Sequence, residues 1–230
     1  MGWISNYYDR RVASDPGKGL LWQVGHTENG RPISDRQFAA MLDRIRRELE
    51  LGPQDNLLDL CCGNGVFTQR LAGGVRSAVG VDISPALIEI ARTRSQADNL
   101  TYLVGDAVEP PRRTQTGAQF NKVLMNAALQ HISFSDFERL LQGLVAHSGP
   151  DRGFLFAFVP DAGRRDAFEA ALTPGIALRL RRCIGRDLIG HWYDREAVSG
   201  LCADLGLHAD YLPVDPSIDG SRYRFNILIR

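Results

Sequence analysis

Apolar and polar positions follow two rhythms along this chain. Phe38, Met41, Leu42, Ile45 and Leu49 recur at the three- and four-residue spacing of one helix face. Ser34 and Gln37 stand ahead of them as a capping box, so a helix is expected to begin there and to end near Gly52-Pro53. Short apolar runs then alternate with amphipathic stretches. Residues 56–61, 77–81, 100–104, 122–126 and 154–159 read as strands. Residues 66–72 read as a helix closed by Gly73-Gly74, and Ser84-Pro85 opens another, as an N-cap followed by proline at the first helical position, running to about Ser95. Further helices are expected over 134–147 and from about 194 to 205.

Strands alternating with helices predict an α/β fold, a Rossmann-like and mostly parallel sheet with helices on both faces. Two closing strands, 208–212 and 222–229, bring the count to seven. They are too close in sequence for a crossover, so they form a hairpin and the last strand runs antiparallel. Residues 161–190 interrupt the rhythm as an inserted helical segment, and residues 1–33 are aromatic and polar without clear periodicity. A length of 230 residues suits a single domain over 34–230, preceded by an N-terminal lid or substrate segment over 1–33.

Composition narrows the partners. Lysine and arginine number 27 against 27 acidic residues, whereas a chain that binds a polyanion usually carries a basic excess. Neither nucleic acid nor an acidic membrane is therefore the expected partner. Cys61, Cys62, Cys183 and Cys202 make no CxxC pair and have no histidine cluster at zinc-ligand spacing, so no metal site is expected and the thiols read as reduced. No apolar run approaches the roughly 20 residues of a membrane span, and the first 15 residues lack a signal-peptide pattern. The expected location is the cytoplasm.

The strongest chemical signal is Leu58-Asp59-Leu60-Cys61-Cys62-Gly63-Asn64-Gly65, which follows the first sheet strand and opens a helix. Small residues at 61, 63 and 65 let the backbone turn sharply and approach a ligand. Asp82, in Gly80-Val81-Asp82, lies 19 residues beyond Gly63, the spacing at which a carboxylate meets a ribose diol. Gly105-Asp106-Ala107 ends the next strand, where an aspartate suits an adenine amino group. All three signals fall at the carboxyl ends of successive strands, where open α/β sheets bind ligands.

With LDLCCGNG (58–65), GVDIS (80–84), VGDA (104–107) and FNKVLMNAALQHI (120–132), the chain resembles the class I S-adenosylmethionine-dependent methyltransferases. The resemblance implies S-adenosylmethionine as cofactor. By position, Asp59, Cys61, Gly63 and Gly65 would surround its methionine part, Asp82 would hold the ribose, Ile83 would pack on adenine, Asp106 and Ala107 would meet the adenine edge, and Asn126 and Ala127 would close over it. Cys61 stands where the family has its first glycine, and Asn121 where an acid often opens the fourth strand. A nicotinamide-dependent dehydrogenase is disfavoured, because the third small residue of its fingerprint is Thr68 here.

Methyl transfer needs positioning above all, with a general base for some oxygen or nitrogen acceptors. His131, His191 and His26 are the candidate bases. Tyr7, Tyr8, Trp192, Tyr193 and Arg182 are the candidate substrate contacts. The stretch from Arg164 to Arg186 holds six arginines against two acids, a pattern suited either to a solvated face or to recognition of an anionic acceptor. A looser similarity to methyltransferases of polysaccharide and natural-product pathways implies an oxygen of a sugar or secondary metabolite as the methylated atom. The alternatives are methylation of a macromolecule, whose Asn/Asp-Pro-Pro-aromatic signature is replaced by Asn126-Ala127-Ala128-Leu129, and a non-catalytic scaffold of the same fold.

Overall fold

The computed structural model describes residues 2–14, 17–149, 151–171, 189–218 and 220–230. The N-terminal stretch, in which no element was predicted, contains helix α1 (Gly2–Ser14) and a short helix α2 (Leu20–Gln23). Tertiary contacts stabilise it where periodicity is weak. Arg11 donates from Nε to the Trp22 carbonyl at 2.8 Å and lies 4.1 Å over the indole, and α1 packs on helix α5 described below. A small hairpin follows, β1 (Thr27–Glu28) and β2 (Arg31–Pro32), turning at Asn29-Gly30 with φ of 51° and 77°. Two consecutive positive φ angles are what an Asn-Gly hairpin turn requires.

Helix α3 (Asp35–Leu49) carries the predicted capping box on Ser34 and Gln37. It stops before Gly52-Pro53, because Glu50 takes a left-handed conformation and caps the last turn. Then come β3 (Asn56–Leu60), α4 (Val66–Ala72), β4 (Ser77–Asp82), α5 (Pro85–Arg94), β5 (Leu100–Val104), β6 (Lys122–Asn126), α6 (Phe134–His147), β7 (Gly153–Pro160), α7 (Arg165–Ala171), α8 (Arg195–Asp204), β8 (Ala209–Pro213) and β9 (Arg224–Ile229). Of the predicted insert, residues 172–188 lie outside the described residues, and with them Arg179, Arg181, Arg182, Cys183 and Arg186.

The seven strands are ordered β5-β4-β3-β6-β7-β9-β8. The first five are mutually parallel and β9 runs antiparallel to both neighbours, as expected for a closing hairpin. Alternate side chains serve opposite layers. Leu57, Leu124 and Leu155 pack under α3 and α4 with Leu42, Ile45 and Phe67, whereas Leu58, Val123 and Phe154 pack against α6 and α8 with Phe137, Leu141 and Val198. The order reverses between β3 and β6, so the carboxyl ends of β3, β4, β5 and β6 border one crevice.

Candidate functional site

The loop after β3 is shaped by its backbone. Cys61, Gly63 and Gly65 all have positive φ, at 56°, 58° and 74°. Glycine carries such angles without strain, and cysteine at 61 is the exception. Neighbours fill the space a side chain would need. A Cβ on Gly63 would meet Val24 Cγ1 at 2.6 Å, and one on Gly65 would meet Tyr102 Oη at 2.2 Å.

This loop, the ends of β4, β5 and β6, and the N-terminal segment enclose a cleft of about 1150 Å³, part of it open to solvent. Of the residues singled out from the sequence, Asp59, Cys61, Gly63, Asp82, Ile83, Asp106, Ala107, Asn126, Ala127, His26, His131 and Tyr8 line it. Gly65 does not; it begins α4 and receives Tyr102 instead. Tyr7 is exposed, with its ring edge against Tyr8. His191 is also exposed and does not line the cleft; its backbone N–H donates to the Gln130 carbonyl at 2.9 Å. Trp192 packs on Phe168, and Tyr193 is buried in the core with its hydroxyl donating to the Ile132 carbonyl at 2.7 Å. Arg182 lies outside the described residues.

Asp82 is the organising carboxylate. Its Oδ2 accepts from Gly63 N–H and its Oδ1 from Ser84 N–H, both at 2.9 Å, and burial nevertheless pushes its pKa above the usual carboxylate range. Each oxygen keeps a lone pair for a further donor. Ser84 Oγ meets Asp9 Oδ1 of α1 at 2.5 Å, tying the N-terminal helix to this corner. Asp59 is buried, accepts from Thr68 Oγ1 at 2.5 Å, and is pushed up to about 7 by burial with a smaller contribution from Asp82. Asp106 Oδ1 accepts from Val108 N–H at 2.9 Å. With Asp136, the cleft holds four aspartates, and among the described residues no lysine or arginine lines it.

Burial holds both cleft histidines neutral near pH 7. His26, its ring tilted against Phe67 with centroids 4.7 Å apart, and His131 are each lowered to about 4, His131 also by Arg224 and His191. Burial, then neighbouring Tyr7 and Asp82, pushes Tyr8 up to about 12. Asn126 Nδ2 is buried with no hydrogen-bond partner, an orphan donor in a residue of the cleft wall. Asn64 was missed in the sequence: its Nδ2 donates to the Leu20 carbonyl and to Gln23 Oε1, docking α2 on the loop. A buried amide between two glycines was the available signal.

Strand order, direction of pairing and a cleft at the parallel strand ends define a Rossmann-like class I methyltransferase fold. Residues 57–151 match the family model described as "Methyltransferase domain". A stretch of 89 residues is 35% identical to a probable ribosomal RNA small subunit methyltransferase A of Methanosarcina mazei, covering 38% of this chain and 31% of that protein. Over 218 residues the chain is 27% identical to 2-phytyl-1,4-naphtoquinone methyltransferase of Nostoc sp., covering 84% and 83% of the two chains. The solved structure described as a DhpI-SAM-HEP complex superposes with a TM-score of 0.64 at 17% identity, covering 98% of this chain and 94% of that one. The chain thus spans about a third of the first curated relatives it matches and nearly all of the quinone enzyme. Residues 57–151 thus match a methyltransferase domain, and the chain as a whole shares the fold of the class I methyltransferases.

Proposed function

We propose that this protein binds S-adenosylmethionine in the cleft and methylates a small, uncharged acceptor, preferably at oxygen. The observation that carries this reading is the charge of the cleft, four aspartates with no facing cation among the described residues. Such a lining suits a ligand bearing a sulfonium and an ammonium group, and it disfavours phosphate. Two further features fit the same cofactor. Asp82 has lone pairs left for a vicinal diol, and Asn126 offers an unused buried donor.

In this reading Asp82 grips the ribose, Ile83 packs on adenine, Asp106 and Ala107 meet its edge, and Asp59 with the 61–63 backbone faces the methionine part. Gly65 acts indirectly, by letting Tyr102 brace the loop. When bound, S-adenosylmethionine supplies an electrophilic methyl group, so the chain contributes placement and exclusion of water. Tyr8, Val24 and His26 close the cleft from the N-terminal segment, which is why we assign residues 1–33 as a lid on a domain spanning 34–230. His131 and His26 are the polar side chains we place against the acceptor; His191 supports the Gln130 backbone. An anionic group on the acceptor would have to meet arginines outside the cleft.

The near full-length similarity to a quinone methyltransferase favours a small molecule. The local similarity to a ribosomal RNA methyltransferase favours RNA, over a smaller share of the chain. A screen with methyl-labelled cofactor decides between them: label entering a metabolite fraction of hydroxylated compounds supports this proposal, and label entering ribosomal RNA alone overturns the acceptor class.

A further inference from the structure

Arg224, on β9, is half-buried and its pKa is lowered to about 10 by burial alone. Its partners are neutral. One guanidinium nitrogen donates to the Phe158 carbonyl at 2.7 Å, a second donates to Gln130 Oε1 at 2.8 Å, and the group lies 4.4 Å over the Phe158 ring.

The backbone is bent to make this contact. The β7–β9 register shifts between Phe156 and Val159, and Phe158 takes a φ of 62°, a left-handed angle that an aromatic residue rarely adopts. Asn226 Oδ1 holds the strained residue by accepting from Phe158 N–H at 2.9 Å. Strain held at both ends, beside a cleft, points to a constraint on something nearby.

That neighbour is Gln130. Its backbone carbonyl accepts from His191 N–H at 2.9 Å, its Oε1 accepts from Arg224, and its Nε2 lies 3.4 Å from the Ala127 carbonyl and 3.3 Å from His131 Nε2. Arginine has only donors, so the amide atom facing Arg224 must be the oxygen. The atom facing His131 is then the NH2, which is itself only a donor. His131 Nε2 must therefore accept and carries no proton. In a neutral ring the single proton sits on Nδ1, and a charged ring would set two donors against each other. Burial and the nearby guanidinium oppose that charge as well.

We propose that Arg224 and Gln130 are positioning residues that lock His131 in its Nδ1–H tautomer, so that His131 meets the acceptor as a hydrogen-bond donor and not as a base. The lock concerns this chain alone; its meaning for the acceptor rests on the function proposed above. The consequence is a preference for an acceptor that presents a lone pair to His131.

The test is a long-range 15N correlation spectrum of the histidine rings in cofactor-free protein at pH 7.5, with His131 assigned by loss of its signals in His131→Gln. The expected spectrum has a protonated Nδ1 and an unprotonated, pyridine-like Nε2. In Gln130→Glu the carboxylate can accept from both Arg224 and the ring, and the proton is expected to appear on Nε2. A wild-type ring protonated on Nε2, or an unchanged tautomer in a folded Gln130→Glu protein, overturns the proposal. Should that variant not fold, the wild-type spectrum still decides. Calorimetry with S-adenosylhomocysteine keeps the two readings apart: failure to bind removes the cofactor assignment and leaves the tautomer result standing.

Discussion

Asp59→Asn separates the fold's needs from the cleft's. Asp59 is buried in the middle of the sheet, with its carboxylate in contact with Thr68 and its pKa raised from 3.8 to about 7, chiefly by burial. The folded protein keeps a proton there that the unfolded chain releases near pH 4. Over that window the folded state binds more protons, so stability is present at low pH and is lost as pH rises toward 7. Between pH 5 and pH 7 this amounts to about 2 pKa units, or roughly 2–3 kcal/mol at 1.36 kcal/mol per unit. Asparagine has nearly the same shape, still accepts from Thr68, and does not titrate. Urea unfolding of both proteins at pH 5.0 and pH 8.5 cancels every other titrating group. The stability of the variant relative to wild type is expected to rise by about 2–3 kcal/mol between the two values. At pH 8.5, where the carboxyl is ionised, the variant should also bind S-adenosylmethionine more weakly, because a buried negative charge facing a cation is gone. A difference in stability that does not change with pH would refute this account of Asp59.

Two other predictions follow from single contacts. Gly65→Ala forces a Cβ against Tyr102 at a φ of 74°, and should lower stability by about 3 kcal/mol, roughly 10 °C in the melting temperature; a melting curve matching wild type would contradict the packing described. Removing residues 1–14 deletes Tyr8 and the Asp9 contact to Ser84, and should weaken cofactor binding by about tenfold, the value of one charge-assisted hydrogen bond. Unchanged affinity in calorimetry would show that α1 is no part of the lid.

The doubly covered sheet was readable because burial on both faces leaves continuous apolar runs, as in Leu57, Leu58 and Leu60 of β3. Two helix starts were readable because their signals are local: the Ser34 and Ser84 side chains each accept from a backbone N–H of the following turn. Helix α1 was not, since what fixes it lies elsewhere in the sequence, in Trp22 and α5. Nor was the β-bulge at Phe158, whose strain is held by Asn226, 68 residues away. The cleft-lining positions follow strand ends, which periodicity marks. The surroundings of the histidines depend on where residues 189–193 and β9 return, so nothing local set His131 in the cleft and His191 outside it. Tyr193 illustrates the same limit: an aromatic in a polar stretch reads equally as a contact or as core, and it packs with Phe137.

In the function proposed above, the acidic cleft holds S-adenosylmethionine by the carboxylate at position 82. Titration calorimetry of wild type and Asp82→Ala measures it directly. One-to-one binding by wild type, weakened at least about tenfold in the variant by loss of charge-assisted hydrogen bonds, is the predicted result. Absence of binding heat in wild type, or equal affinity in the two proteins, would contradict it.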